Sequence, residues 1–263
     1  MPAGTTDRIL PTAPAEGQRR AAVLASPLVW LALALVALVL FMPATEPLFR
    51  ALFPELARPV YTRASFLALA VSHIGLVAAS SLAAVVAGLA AGLFVTRRAG
   101  REFLPIVQAI AAIGQTFPPV AVLAISVPLI GYGAAPTLVA LTLYGVLPIL
   151  GNTIAGLETV SPAAREAARG MGFPPLRRLL EVELPLAAPV IMAGIRTSVI
   201  INIGTATVGS TVGALSLGSP IIEGLSGNNT AYVVQGAVVV GLLAIVTDLL
   251  FERLERRLTP GRR

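Results

Sequence analysis

The sequence contains no cysteine, no lysine and only one histidine. Without cysteine the chain has no disulfide scaffold, no thiolate zinc site and no cysteine nucleophile, and one histidine leaves little for metal chemistry. Charged residues are also scarce, at 12% of the 263 residues, whereas a soluble domain carries about 25%. Because 56% of the residues are apolar, large-scale disorder is excluded as well. The composition indicates a membrane protein.

Long stretches without charge predict the membrane-spanning helices. About 20 apolar residues cross a bilayer as a helix, and the stretch from residue 103 to 157 is long enough for two. Pro118 and Pro119 interrupt the first of these two helices midway. The fifth span is expected from about residue 189 to 212. The sequence therefore predicts an all-α, polytopic membrane protein of about six transmembrane helices, drawn from the uncharged stretches at 21–45, 64–96, 103–157, 197–222 and 224–247.

The two ends of the chain have their own composition. Residues 1–20 mix proline, alanine, glycine and charge without periodicity, which predicts a mobile cytoplasmic tail. Residues 21–45 predict a first transmembrane anchor, since their apolar run is longer than that of a usual signal peptide. Residues 256–263 predict a basic cytoplasmic tail.

The arginines predict the orientation in the membrane. Fifteen of the 19 arginines fall in segments on one side of the predicted bundle, and three fall in the first loop on the other side. The positive-inside rule then places both termini in the cytoplasm. Because the arginines form short clusters between apolar runs rather than one basic face, a nucleic-acid partner is not expected.

Three charged or titratable residues lie within predicted spans. Arg196 lies near the inner end of the fifth span, where its long side chain is expected to reach the lipid headgroups. Asp248 is about one turn from the basic C-terminal tail and is expected to pair there. His73 is expected to be a packed, hydrogen-bonded residue rather than a proton relay.

The loop between the fourth and fifth spans, residues 158–185, is the only sizeable polar segment between spans, and we call it the elbow. Ser161 is a good N-cap with Pro162 at the first helical position, and Gly172 suits a left-handed helix end. Pro174 and Pro175 can open a second helix, which is expected to stop or kink at Pro185. The elbow is therefore predicted to consist of two short helices on the cytoplasmic side.

Alanines dominate the first helix of the elbow and leave a surface with few protruding side chains. Glu166 and Arg169 are three residues apart and are expected to pair on an exposed side. Small side chains allow another protein surface to approach closely.

The spacing of residues in the elbow resembles the EAA motif of ABC importer permeases, EAA-x3-G-x9-I-x-L-P. Glu166-Ala167-Ala168, Gly172 and Val182-x-Leu184-Pro185 match it with only valine for isoleucine. The adjoining PPVAVLAISVPLIGYG from residue 118 and IMAGIRTSVIINIGTATVGSTVGA from residue 191 are similar to permease subunits of osmoprotectant importers, which carry glycine betaine, choline, carnitine or related quaternary ammonium solutes. The resemblance covers residues 60–255, which are expected to form the importer transmembrane domain.

The resemblance implies partners and residue roles. In this family the EAA loop is a coupling helix that sits in a groove of a separate ATPase. The implied partners are two ATPase copies, an extracytoplasmic solute-binding protein and a second, identical or homologous permease subunit in the inner membrane. ATP and magnesium are bound by the ATPase; this chain has no G-x-x-x-x-G-K-[ST] phosphate loop and is expected to hold no cofactor or metal. The expected ATPase-coupling residues are Glu166, Ala167, Ala168, Arg169, Gly172 and Pro185.

Polar residues within spans are candidates for the solute pathway, because each is unfavourable unless it faces protein or water. Gln115 and Thr116 lie beside the proline break, and Asn202, Thr205 and Thr207 lie in the fifth span. Hydrogen bonding between helices is the alternative role for these residues.

Three other functions are weighed against an osmoprotectant importer. An ABC permease for methionine or another amino acid shares the EAA spacing. An ion-coupled secondary transporter is expected to show paired halves and an intramembrane acid for coupling, and neither feature stands out. An intramembrane enzyme needs a motif such as H-E-x-x-H, and His73 is the only histidine.

Overall fold

The computed structural model describes residues 26–258. The predicted tail at 1–20, the first five residues of the predicted anchor at 21–45 and residues 259–263 of the predicted C-terminal tail lie outside the described residues. Within 26–258 the chain forms eleven α-helices and no strand. The helices are α1 (Pro27–Phe41), α2 (Glu46–Leu52), α3 (Phe66–Val95), α4 (Leu104–Thr116), α5 (Pro119–Ile130), α6 (Ala134–Glu158), α7 (Pro162–Gly170), α8 (Pro175–Arg178), α9 (Leu184–Thr205), α10 (Ser219–Ser226) and α11 (Thr230–Leu258).

Five helical segments of the described chain are long and apolar enough to cross a membrane: Pro27–Leu52, Phe66–Val95, Ala134–Glu158, Pro175–Thr205 and Thr230–Arg257. A sixth span is present if the bent pair Arg101–Gly114 and Pro119–Ile130 crosses as one unit. The predicted all-α membrane fold is thereby confirmed.

The predicted third span is broken at its two prolines, and its halves meet at 90°. Phe117 (φ −73°, ψ 131°) and Pro118 (φ −58°, ψ 141°) are extended. A proline disfavours helical geometry at the residue before it, and here two consecutive prolines act together. Each half is therefore a separate short helix, α4 or α5.

The predicted limits of the fifth span are wrong at both ends. The helical path is continuous from Pro175 to Thr205, so it does not stop at Pro185 and it ends before residue 212. A π-helical segment, Leu179–Glu183, lies immediately before Leu184 and Pro185. A wider turn there accommodates a proline ring that in a regular helix clashes with the carbonyl four residues back.

Helices α3, α6 and α9 pack tightly against one another at the centre of the bundle, and glycines lie at the contacts. A Cβ added to Gly145 of α6 would lie 2.7 Å from the Ser198 Oγ of α9 and 2.9 Å from the Ala84 Cβ of α3. In membranes, small residues let helix backbones approach in this way.

Polar side chains buried between the spans bond to other helices. The His73 Nε2–H of α3 donates to the Ile203 carbonyl oxygen of α9 at 3.1 Å, which confirms the packed, hydrogen-bonded histidine. The Asn202 amide of α9 donates to the Ser81 Oγ of α3 at 3.1 Å and to the Ser80 Oγ at 3.4 Å. These bonds tie α3 to α9.

Arg196 and Asp248 pair with each other, so the expected pairing of Asp248 with the basic C-terminal tail is wrong. The Arg196 Nε lies 2.6 Å from the Asp248 Oδ1 of α11, and the Arg196 Nη1 lies 3.1 Å from the Glu255 Oε2. Arg196 of α9 thus pairs with α11, which is a structural role, and Asp248 pairs with α9 instead of the basic tail. Within an apolar bundle an ion pair between neighbouring helices is less unfavourable than two separate charges.

Candidate functional site

The first helix of the elbow, α7, is fixed at both ends by its own sequence. The Ser161 Oγ accepts the Ala164 N–H at 3.2 Å, which confirms the predicted N-cap. At the other end Gly172 has the expected left-handed conformation, with φ +79°. The Phe173 N–H donates to the Ala168 carbonyl at 3.0 Å, and the Gly172 N–H donates to the Arg169 carbonyl at 2.9 Å. These two bonds form a Schellman motif, which satisfies the last carbonyls of the helix.

The second predicted helix of the elbow is not a separate element. It begins at Pro175, as expected, but α8 has four residues and continues through the π-helical segment into α9. The elbow therefore consists of one free helix, a turn at 171–174, and the start of a long span. The expectation of two short helices is wrong because nothing interrupts the helical path at Pro185.

The outer face of α7 presents small side chains and two charges. Ala167, Glu166 and Arg169 are exposed, whereas Ala168 is buried. Within residues 26–258 the Glu166 carboxylate has no ion-pair partner, and the expected pair with Arg169 is not formed. Met171 follows the helix and is 65% exposed. This face is available to another protein surface.

The inner face of the elbow packs on an apolar cluster between two spans. Its buried members are Leu157 of α6, Val160 just after α6, and Ala187 and Ile191 of α9. Ala164 of α7 packs against this cluster, as do residues of α3 and of the π-helical segment. The elbow helix α7 is therefore in packing contact with both α6 and α9.

A buried carboxylate, Glu183, fastens the elbow to the end of α3. The Arg97 Nη1 lies 2.8 Å from the Glu183 Oε2, and the Arg178 Nε lies 3.0 Å from the Glu183 Oε1. The Glu183 side chain is only 4% exposed, and a carboxylate buried this deeply requires such partners. Sequence reasoning missed this residue, although an acid two positions before Pro185, at the start of an apolar span, is a signal that could have identified it.

Two further contacts stabilise the elbow. The Arg165 guanidinium donates to the Leu157 carbonyl oxygen at the end of α6, where helix carbonyls lack partners. The Arg177 guanidinium lies over the Phe173 ring, 4.4 Å from its centroid, and also pairs with Glu181 at 3.0 Å. Arg165 and Arg177 therefore stabilise the folded elbow through their own contacts.

The candidate pathway residues fall into different environments. Asn202 is fully buried and bonds to α3, the helix-packing alternative left open by the sequence. Thr116 is exposed, and Thr205 and Thr207 are half-buried. The Thr116 and Thr207 hydroxyls donate to carbonyls of Ile113 and Gly204 at 2.8 and 2.7 Å. The side chain of Gln115 lies outside the described part of the chain.

Among residues 26–258 no group of three or more histidine or acidic side chains is placed to hold a metal ion. The arrangement instead provides a rigid polar helix, braced against two apolar spans, at one end of a membrane bundle. A helical membrane bundle with such an exposed helix is the architecture of the permease subunits of membrane transporters. The family model described as "Binding-protein-dependent transport system inner membrane component" matches residues 84–260, and the chain belongs to this family.

Characterised relatives and a solved structure agree with this assignment. The osmoprotectant import permease protein OsmY of Salmonella typhimurium is 40% identical over 188 residues, 72% of this chain and 80% of the relative. The choline transport system permease protein OpuBB of Bacillus subtilis is 49% identical over 147 residues, 56% of this chain and 68% of the relative. The inward-facing MetNI methionine ABC transporter has the same fold, with a TM-score of 0.65 at 24% identity over 72% of this chain and 93% of that chain.

Family membership confirms the recognised class and the expectation that the chain is a transport subunit rather than an enzyme. The protein is a multi-pass inner-membrane component, and its family implies an ATPase, a substrate-binding protein and a paired permease. The alternative of methionine transport rests only on likeness of fold to a distant neighbour.

Proposed function

We propose that this chain is the permease subunit of an ATP-driven importer for a small quaternary ammonium osmoprotectant such as glycine betaine, choline or carnitine. The observation that carries this substrate class is the 49% and 45% identity to Bacillus subtilis permeases named for choline and for glycine betaine, carnitine and choline transport.

In the proposed mechanism α7 is the coupling helix that sits in a groove of the ATPase. Ala167 and the small neighbouring side chains let the two surfaces approach, while Glu166 and Arg169 supply exposed charges for pairing. Gly172 shapes the turn, and Ala168 faces the bundle. Because α7 is fixed at both ends and packed on the cluster below it, closure of the ATPases moves the spans as rigid bodies. Pro185 contributes by requiring the wider π turn at the start of α9.

The proposed assembly has two ATPase copies, which bind ATP and magnesium, an extracytoplasmic solute-binding protein and a second permease subunit. Both termini and the elbow lie in the cytoplasm, in agreement with the distribution of the arginines. The break between α4 and α5 supports a solute pathway near Gln115 and Thr116, which this chain would share with the second permease subunit. Irregular backbone at membrane depth has to be covered by protein or water rather than lipid. Thr205, at the end of the fifth span, and Thr207, just beyond it, are the other proposed pathway residues.

Transport by the complete importer in proteoliposomes tests the proposal. The chain, its ATPase and its solute-binding protein are reconstituted, and uptake of radiolabelled glycine betaine, choline, carnitine and methionine is compared with and without internal ATP. We expect ATP-dependent uptake of at least one quaternary ammonium solute that a hundredfold excess of methionine does not reduce. Uptake of methionine alone would contradict the substrate class, and equal uptake without the ATPase would indicate a secondary transporter.

A further inference from the structure

A cavity of about 830 Å³ lies at the elbow end of the bundle. The last residues of α3 and α6, the beginning of α4, and the segment around α8 form its walls. Two glutamates, Glu158 and Glu183, are its only acidic lining residues in the described chain. Six arginines line this arginine cavity: Arg97, Arg98, Arg101, Arg165, Arg169 and Arg178.

The internal contacts of the cavity leave much of this charge unneutralised. Glu183 is already shared between Arg97 and Arg178, and within residues 26–258 Arg98 and Arg101 have no ion-pair partner. The Nε atoms of Arg97 and Arg165 are buried and have no hydrogen-bond acceptor among the described residues. These two atoms are closed to solvent, whereas Arg98 and Arg101 are exposed and unpaired in the described chain. The lining has six arginines and two glutamates, and this excess of positive charge favours an added anion with several oxygen atoms.

The depth of the cavity places that anion at the membrane surface. The spans Phe66–Val95 and Ala134–Glu158 both end at its walls. Leu176 lines the cavity and is 66% exposed. Close to other lining residues in the chain lie further exposed apolar side chains: Phe94 and Phe103, whose ring centroids are 5.9 Å apart, together with Ile106 and Leu180. A ligand that fits both surfaces has an anionic head and apolar tails.

We propose that the arginine cavity binds the phosphate headgroup of an anionic phospholipid, with the acyl chains lying along the exposed apolar side chains of α4 and α8. Guanidinium groups form bidentate hydrogen bonds with phosphate oxygens. Basic pockets between spans are known to take anionic lipid headgroups. The exposed apolar side chains favour a phospholipid over a soluble phosphate compound, because a soluble compound has no acyl chains to pack against them.

The full-length chain, purified in detergent, is titrated with dioleoylphosphatidylglycerol, and retained lipid is counted by native mass spectrometry. The test variant is Arg98→Gln with Arg101→Gln, since both side chains are exposed and unpaired in the described chain. The control, Arg256→Gln with Arg257→Gln, removes two arginines of the same end outside the cavity. We expect about 30-fold weaker binding in the test variant and little change in the control. Equal thermal unfolding of both variants in phosphatidylcholine shows that the fold is intact.

Four results would each overturn the proposal. Dioleoylphosphatidylcholine binding as tightly as phosphatidylglycerol removes the need for an anionic headgroup. Displacement of the lipid by millimolar inorganic phosphate assigns the cavity to a free anion. An equal loss of binding in the control variant would show that general surface charge, and not the cavity, binds the lipid. A test variant that keeps its lipid but no longer copurifies with the ATPase assigns the arginines to that partner.

Discussion

At the scale of single residues, Glu183 and Gly172 decide the shape of the elbow by different physical means. Glu183 holds the exit of the elbow to α3 through charge, in a place where its carboxylate is almost without water. Gly172 holds the turn through backbone conformation, because a left-handed φ is unfavourable for any residue with a Cβ. A single substitution at either residue removes one of these two contributions and leaves the other.

Glu183→Gln is expected to lower the free energy of unfolding by about 2–3 kcal/mol, because it leaves two partly buried arginines without their carboxylate. Denaturant unfolding of the purified chain in detergent measures the change. Glu181→Gln is the matched control, since Glu181 forms an exposed pair with Arg177 that contributes at most about 0.5 kcal/mol. Equal effects of the two substitutions would show that the buried ion pairs of Glu183 with Arg97 and Arg178 stabilise the fold no more than an exposed pair does.

Gly172→Ala is expected to disfavour the turn by about 1 kcal/mol and to reduce copurification of the ATPase about fivefold. The added Cβ meets nothing within 4 Å, so conformation alone causes the effect. Gly170→Ala serves as the control, because Gly170 ends α7 with an equally open Cβ position and no positive φ. Normal copurification in both variants would remove this turn from the coupling mechanism.

At the scale of helices, the bundle depends on close approach of α3, α6 and α9. The sequence identifies these spans from runs without charge, and the ends of α7 from Ser161 and Gly172, since such signals are local. The sequence does not identify the pairs Arg97–Glu183 and Arg196–Asp248, because a single sequence carries no information on which distant residues meet. The π-helical segment was missed for the same reason: its wider turn depends on packing around Pro185.

Gly194→Ala tests the packing of α9 on α6. The added Cβ would lie 2.5 Å from the Asn152 Cβ and 2.7 Å from the Pro148 carbonyl oxygen, so we expect destabilisation of about 2 kcal/mol from overpacking. Gly204→Ala, in the same helix with nothing within 4 Å, is expected to be neutral or slightly stabilising. Thermal unfolding in detergent compares the two, and an equal shift would contradict the tight contact.

At the scale of the whole molecule, function requires that the elbow and the loop containing α10 lie on opposite sides of the membrane. The fifth span, Pro175–Thr205, starts at the elbow and leads towards α10. The five long spans and the polar loops between them were predictable from hydropathy and arginine alone, whereas a sixth span requires α4 and α5 to cross as one unit. The orientation of the termini and the roles of Glu166, Arg169, Thr205 and Thr207 stay predictions.

The absence of cysteine makes the orientation directly measurable. Met171→Cys at the elbow and Leu225→Cys in α10 introduce single thiols at side chains that are 65% and 63% exposed. A membrane-impermeant maleimide is expected to label Leu225→Cys in spheroplasts and Met171→Cys only in inside-out vesicles, because the arginine-rich side stays in the cytoplasm. The reverse pattern would place the elbow outside and contradict its coupling to an ATPase.

The helical continuity from Pro175 to Thr205 has a mechanical consequence. At about 1.5 Å per residue, 31 residues form a rod about 46 Å long. A tilt of about 10° at one end therefore carries the opposite end through about 8 Å, roughly the width of a small solute. In the proposed mechanism, an angular stroke of this size applied where the rod meets α7 would therefore gate the far side of the bilayer without unfolding any part of the rod.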